Sequence, residues 1–230
     1  MLIVEDLLLL LTDDESGAAA ADSTKLSYAL AGAVLLELSL AGRVDVAGQG
    51  EAQKLGRIVI RDSSPTGDSV LDEGLARLSR REGKKPRDVI RHLTSGLRAE
   101  VYGRLVARGI VRRDEGKVLG LFPRKRWPTV DATHEQATRR DIVNAALQPG
   151  TEVAPRIGAL VSLLAAVDKL TVVVIPEESG LTKKEIRRRG KEISAESWAP
   201  LAVKQAVEAA QAAVTAAVVA STSAGVVSSS

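Results

Sequence analysis

The sequence predicts a mainly α fold, a central apolar helical bundle surrounded by amphipathic helices and carrying small β-hairpins. Three observations lead there. Hydrophobic residues make up 45% of the 230 residues and aromatic residues only 2%, so the core must be built from Leu, Val, Ile and Ala, side chains suited to helix-on-helix packing. Apolar residues recur at helical spacing along most of the chain. The stretches that read as strands are short and sit around glycine-containing turns. One domain is expected over residues 1–220, with a flexible Ser- and Gly-containing tail over 221–230.

The elements follow in order. Leu2 to Leu11 reads as a short apolar helix, closed by the turn-forming run Thr12-Asp13-Asp14-Glu15-Ser16-Gly17. Leu26 to Leu40 is the most apolar segment, short of the roughly 20 residues a membrane span needs, and reads as a buried core helix ended by Gly42. Glu37 lies inside it, and a charge there calls for a partner, so an ion pair with an arginine is expected ahead of a catalytic role. Val44-Asp45-Val46, a turn at Gly48-Gln49-Gly50 and the run Ile58-Val59-Ile60 suggest a first hairpin.

In Ser63-Ser64-Pro65-Thr66-Gly67-Asp68-Ser69, Pro65 presets a turn, Gly67 permits positive φ, and Asp68 or Ser69 can accept from the first free amides of a helix. That helix carries Leu71, Leu75 and Leu78 on one face and runs to about Arg81. Pro86 opens another helix, with Val89, Ile90 and Leu93 spaced along it. After Ser95-Gly96, Leu97 to Arg108 is helical and Gly109 stops it. Ile110-Val111 and Val118 to Phe122 then flank Asp114-Glu115-Gly116-Lys117 as a second hairpin, and Trp127-Pro128 begins a loop. Further helices are expected at Thr133 to Leu147, Val153 to Leu170, Lys183 to Ile193 and Leu201 to Ala220.

The formal charge is only +3, with a pI of about 9.3, but the basic residues are clustered. Arg80, Arg81, Lys84, Lys85 and Arg87 form one group, Arg98, Arg104, Arg108 and Arg112 a second, and Arg124-Lys125-Arg126 a third. Such groups attract polyanions, either phospholipid head groups or nucleic acid. The absence of cysteine removes disulfides and thiol chemistry and fits a reducing cytoplasm. Met1 to Asp6 has no basic n-region of a signal peptide, so a cytoplasmic chain with at most peripheral membrane contact is expected. The chain has no phosphate-cradling glycine motif, nucleophile elbow or H-E-x-x-H pattern; the adjacent His134 and Glu135 cannot share a helix face, and His92 has no acidic residue next to it in sequence. The expectation is a protein that is not an enzyme and carries no cofactor or metal.

Ser63 to Glu73 resembles the S-x-P-T-G-D-x-x-L-D-E segment of the Golgi phosphoprotein 3 family. Leu30 to Arg43 is similar to that family's L-x-G-x-x-L-x-E-L-x-L-x-G-R helix and turn, Leu105 to Val111 to its L-V-x-x-G-V-L segment, and Ala159 to Leu170 to a later apolar helix. The resemblance implies the helical fold already expected, and a peripheral-membrane role, since eukaryotic members hold phosphatidylinositol 4-phosphate in a basic pocket of one tryptophan and several arginines. It places Arg98 at one pocket arginine, but Ala31 and Ser95 at two others and Asp22 at the tryptophan. Lys25, Arg91 and Arg104 are the cations left to rebuild a looser head-group site beside Arg98. The resemblance also places Thr171-Val172-Val173-Val174-Ile175 where the family has an apolar hairpin, making Val172, Val173, Val174 and Ile175 candidates for membrane or subunit contact. With apolar helix-forming sequence from Leu2 onward, the family's basic N-terminal arm and the sorting role it serves are not expected here, and the composition suggests a bacterial branch. Two other readings compete. Leu97 to Arg108, the following hairpin and Arg124-Lys125-Arg126 have the order of a nucleic-acid-binding winged helix, and the apolar strand with the alanine-rich C-terminal helix suits a self-associating scaffold.

Overall fold

The structure, a computed structural model, describes residues 1–118 and 122–195 together with Glu208, Gln211, Ala212 and Thr215. Two helices without a polar side form its centre: α1 (Ile3–Leu10), buried at every position, and α2 (Ser23–Leu40), buried almost continuously from Leu26 to Leu38. A third, α7 (Pro155–Ala166), packs on both. Asp22 starts α2 by accepting from the Thr24 and Lys25 amides, at 2.9 and 3.3 Å.

One flank begins with an antiparallel ribbon of β1 (Val44–Val46) and β2 (Ile58–Ile60), in which Val44 faces Ile60 and Val46 faces Ile58. Three helices follow, α3 (Ser69–Ser79), α4 (Pro86–Ile90) and α5 (Leu97–Ala107), each packed on α2. The Pro65–Glu73 segment is a capping device. Asp68 accepts from Val70 N at 2.9 Å, Gly67 turns at φ +81°, and Asp72 reaches back to the Thr66 amide and hydroxyl, both at 2.6 Å. Of the two expected caps, Asp68 is the one used. Gly74 lets α3 lie against α2, since a Cβ there would stand 2.7 Å from Val34 Cγ1.

The second hairpin is β3 (Asp114–Val118) paired with β4 (Phe122–Arg126), and the sequence misplaces it. Asp114-Glu115-Gly116-Lys117 is strand, while Val111 makes an isolated bridge to Thr129. The other flank consists of α6 (Thr133–Leu147), α8 (Leu170–Val173), the single turn α9 (Pro176–Ser179) and α10 (Lys183–Ala195). Of these, α6, α8 and α10 pack on α7. The helix expected from Val153 to Leu170 is shorter, because Pro155 starts it and Asp168 turns at positive φ beyond its end.

The exposed strand edge or apolar tip that Val172, Val173, Val174 and Ile175 would offer is corrected: Leu170–Val173 is a helical turn with Val173 and Val174 buried in the core and only Val172 substantially exposed. Two of the four proposed contact residues therefore have no surface to offer. The expected Leu201–Ala220 helix and the tail over 221–230 lie outside the described residues, apart from the four isolated positions. Buried residues from α1 to α10 form one contiguous cluster.

Candidate functional site

Gly96, at φ +75°, turns the chain into α5, whose buried face of Leu97, Val101, Tyr102 and Leu105 fixes the helix against the core. Arg98 and Tyr102, four residues apart, then share one side of the helix. The Tyr102 hydroxyl is 2.8 Å from that of Thr12, which donates in turn to the Leu8 carbonyl, so the ring is tied to the end of α1. On Tyr102 lies Trp127, stacked at a centroid distance of 3.9 Å with the planes 5° apart.

Trp127 is held by its backbone. Its amide donates to the Gly17 carbonyl at 3.1 Å, and Thr129 donates from both its amide and its hydroxyl to Asp14, at 2.9 and 2.6 Å. Gly17 adopts φ +62°, and a Cβ there would lie 2.3 Å from Trp127 N, so this strap requires glycine.

Around the aromatic pair opens a cavity of about 650 Å³, lined by Thr94, Arg98, Ala99, Gly103, Val106, Arg113 and Lys125 as well as the two rings. The Arg98 guanidinium carbon is 5.7 Å from the Tyr102 centroid and 5.8 Å from that of Trp127. Nearly equal distances to two stacked rings put the cation beside the pair, level with the gap, and not over either face. Arg98 Nε is buried and has no hydrogen-bond partner among the described residues. Arg113 pairs with Glu115, whereas neither Arg98 nor Lys125 has a carboxylate in ion-pairing range among the described residues. The arrangement is a half-apolar pocket with a cationic wall and an unsatisfied donor.

The candidate residues from the sequence do not converge on it. Lys25 sits in the first turn of α2 and Arg91 follows α4, with its Nε 3.2 Å from His92 Nε2; neither lines the cavity. Arg104 is corrected as an anion ligand: its guanidinium clasps Asp68 (2.7 Å to Oδ1) and reaches Glu5 at 3.1 Å. The clasp holds the Asp68 carboxyl below the usual carboxylate range and raises the Arg104 guanidinium. Arg108 also binds Glu5, at 2.6 Å, so the cations on that part of α5 are already matched. Sequence reasoning missed Trp127, Tyr102 and Arg113 as site residues, and took Lys125 only as one member of a polyanion-attracting cluster. The available signal was an aromatic residue directly after Arg124-Lys125-Arg126 in a chain with only five aromatics.

Glu37 has the partner expected of it. Arg156 of α7 reaches its Oε1 at 3.3 Å and the Ile3 amide donates to the other oxygen, while burial pushes its carboxyl up. No helix among the described residues is long and apolar enough to cross a membrane, and none of their acidic or histidine side chains cluster as a metal site.

The family model described as Golgi phosphoprotein 3 (GPP34) matches residues 3–210. The chain belongs to the Golgi phosphoprotein 3 family. It is similar to the vacuolar protein sorting-associated protein 74 of Eremothecium gossypii, 27% identical over 148 residues, 56% of this chain and 44% of the relative. The aligned segment thus spans less than half of that relative. Apart from Arg98, the positions that the sequence matches to this family's pocket have other duties here. Asp22 caps α2, Ala31 is wholly buried, and the Ser95 carbonyl accepts from Arg77 at 3.0 Å.

Proposed function

We propose that the Arg98 cavity receives the phosphate-bearing head group of an anionic phospholipid, of the phosphatidylinositol 4-phosphate kind, and that the protein is a peripheral, non-enzymatic membrane binder on a cytoplasmic surface. One observation carries this reading: a buried guanidinium nitrogen without a partner, at the edge of an aromatic pair, in a cavity with two further cations. A buried donor left unmade is costly, and phosphate oxygens are the acceptors that match a guanidinium best. Trp127 and Tyr102 supply an apolar wall against which the rim of a bilayer or the carbon skeleton of a head group can rest. Lys25 and Arg91, outside the wall, contribute in this reading only to the field that draws the chain to an anionic surface. Membership of the Golgi phosphoprotein 3 family supports the reading without depending on the positions at Asp22, Ala31 and Ser95.

Co-sedimentation of the full chain with vesicles tests it. Vesicles containing phosphatidylinositol 4-phosphate should bind the chain, and Arg98→Ala should weaken binding roughly tenfold or more, the loss expected for a charge-assisted hydrogen bond. Arg188→Ala, an exposed change on α10, should have no such effect. Equal effects of the two variants, or duplex DNA displacing the protein from vesicles with higher affinity than it binds lipid, would overturn the reading. The second outcome would favour the winged-helix alternative.

A further inference from the structure

Residues 47–57 join β1 to β2 and end in a tight turn. Arg57 N donates to the Lys54 carbonyl at 3.2 Å, Gly56 takes φ +75° at the third position, and Leu55 occupies the second. Two more backbone bonds fix the turn to its base: Gly56 N to Ala47 O at 3.0 Å and Ala47 N to Arg57 O at 2.8 Å. Leu55 is thereby held outward and 63% exposed, the most exposed large apolar side chain among the described residues.

One exposed leucine is ordinary, but its surroundings are not. The loop over residues 82–85 runs along the free edge of β2, with Ile58 N donating to Lys84 O and Gly83 N to Ile58 O, both at 2.9 Å. Gly83 also lies against the Gln53 side chain, 2.9 Å from where a Cβ would be. The two loops therefore abut, and Lys84 and Lys85 stand beside the turn that carries Lys54, Leu55 and Arg57. None of these four cations has an ion-pair partner among the described residues. The nearby carboxylates are engaged elsewhere: Asp45 and Glu51 bind Arg61, and Glu82 accepts from the Ile60 amide. Glu208 lines the adjoining cavity without pairing with any of the four.

We propose that this leucine-tipped turn is a second bilayer contact, in which Leu55 enters the interface of an anionic membrane while Lys54, Arg57, Lys84 and Lys85 hold its phosphates. The inference rests on the reading of the protein as a lipid binder but not on the Arg98 pocket. An apolar tip among unmatched cations suits a layered surface, with anionic head groups outside and acyl chains beneath; a nucleic-acid backbone has charge for the lysines and nothing for the leucine.

Because the chain has no cysteine, Leu55→Cys accepts a single environment-sensitive dye. The probe is the labelled full chain with vesicles of phosphatidylcholine and phosphatidylglycerol, free of phosphoinositide. The expected result is a blue shift and quenching by bilayer-embedded quenchers at low salt, both lost at high salt. Leu147→Cys, exposed on α6, should show neither. Lys84→Ala and Lys85→Ala should each lower vesicle partitioning about fivefold. An unshifted Leu55 dye on a chain that sediments with the vesicles, an equal shift at Leu147, or a shift with duplex DNA and none with vesicles would overturn the proposal. The pocket fails separately, through a lack of dependence on phosphoinositide or on Arg98, which these vesicles do not probe.

Discussion

Asp68 joins two structural duties in one carboxylate: it caps α3 through the Val70 amide and takes the Arg104 guanidinium on both oxygens. Its pKa is lowered first by the hydrogen bonds from Arg104, so the sign of its pH effect is fixed. The stability it adds is complete above the ordinary carboxylate value and is lost as pH falls through the depressed value in the fold. Asp68→Asn keeps an acceptor for the cap and removes the charge. It should cost about 1–2 kcal/mol at pH 7. Urea melts at neutral and strongly acidic pH check this, because the gap between variant and parent should close in acid. A gap that stays constant with pH would mean that the lost charge is not what the substitution costs. Arg98 differs from Arg104 on the same helix because no carboxylate among the described residues lies within its reach, and that difference makes one a structural clasp and the other a candidate ligand.

At the scale of elements, the strap from the α1–α2 loop to Trp127 is the part of the site most open to test. Gly17→Ala would force a Cβ into the Trp127 backbone and a side chain into left-handed φ. A cost of about 2–3 kcal/mol is expected, together with a changed tryptophan fluorescence as the stack on Tyr102 shifts. An unperturbed spectrum and melt would show that the strap does not set the pocket. The helices were legible because helical periodicity persists over long stretches: α2 and α6 lie within a few residues of expectation, and the P-T-G-D turn carries its own capping chemistry. The second hairpin was shifted because Asp114-Glu115-Gly116-Lys117 has turn composition. Its strand register instead places Asp114 opposite Arg126 and Glu115 opposite Lys125, so opposite charges face each other across the ribbon. β-branched residues at Thr171 to Ile175 suggest a strand, yet the core against α7 and α10 takes the segment as a helical turn. Trp127 had only its place after a basic cluster to mark it, because its stacking on Tyr102 is a tertiary contact with no periodicity in the sequence.

Across the whole molecule, Asp6 of α1 and Glu37 of α2 tie four helices together, and Arg156 is the central cation. From α7 it binds Asp6 of α1 at 2.8 Å, Glu37 of α2 at 3.3 Å and the Met1 carbonyl, while His134 of α6 takes the other Asp6 oxygen at 2.8 Å. Asp6 is buried and Glu37 partly so, and Arg156→Ala leaves both carboxylates without their main counter-charge. A loss of about 3–5 kcal/mol at neutral pH is expected. Burial already raises the Glu37 carboxyl, with the Ile3 amide and Arg156 opposing it, so removing Arg156 must raise it further. A raised folded-state pKa favours the fold below the unfolded value and penalises it as pH rises through the folded one. The Arg156→Ala variant should therefore recover part of its deficit as pH falls toward the ordinary carboxylate range. Adding Glu37→Gln should restore part of the stability at neutral pH, since the amide can still accept from Ile3 N and carries no charge, while Asp6 stays without Arg156. A double-mutant cycle by urea denaturation measures this, and simple additivity of the two changes would show that Arg156 acts through Asp6 and Met1 alone.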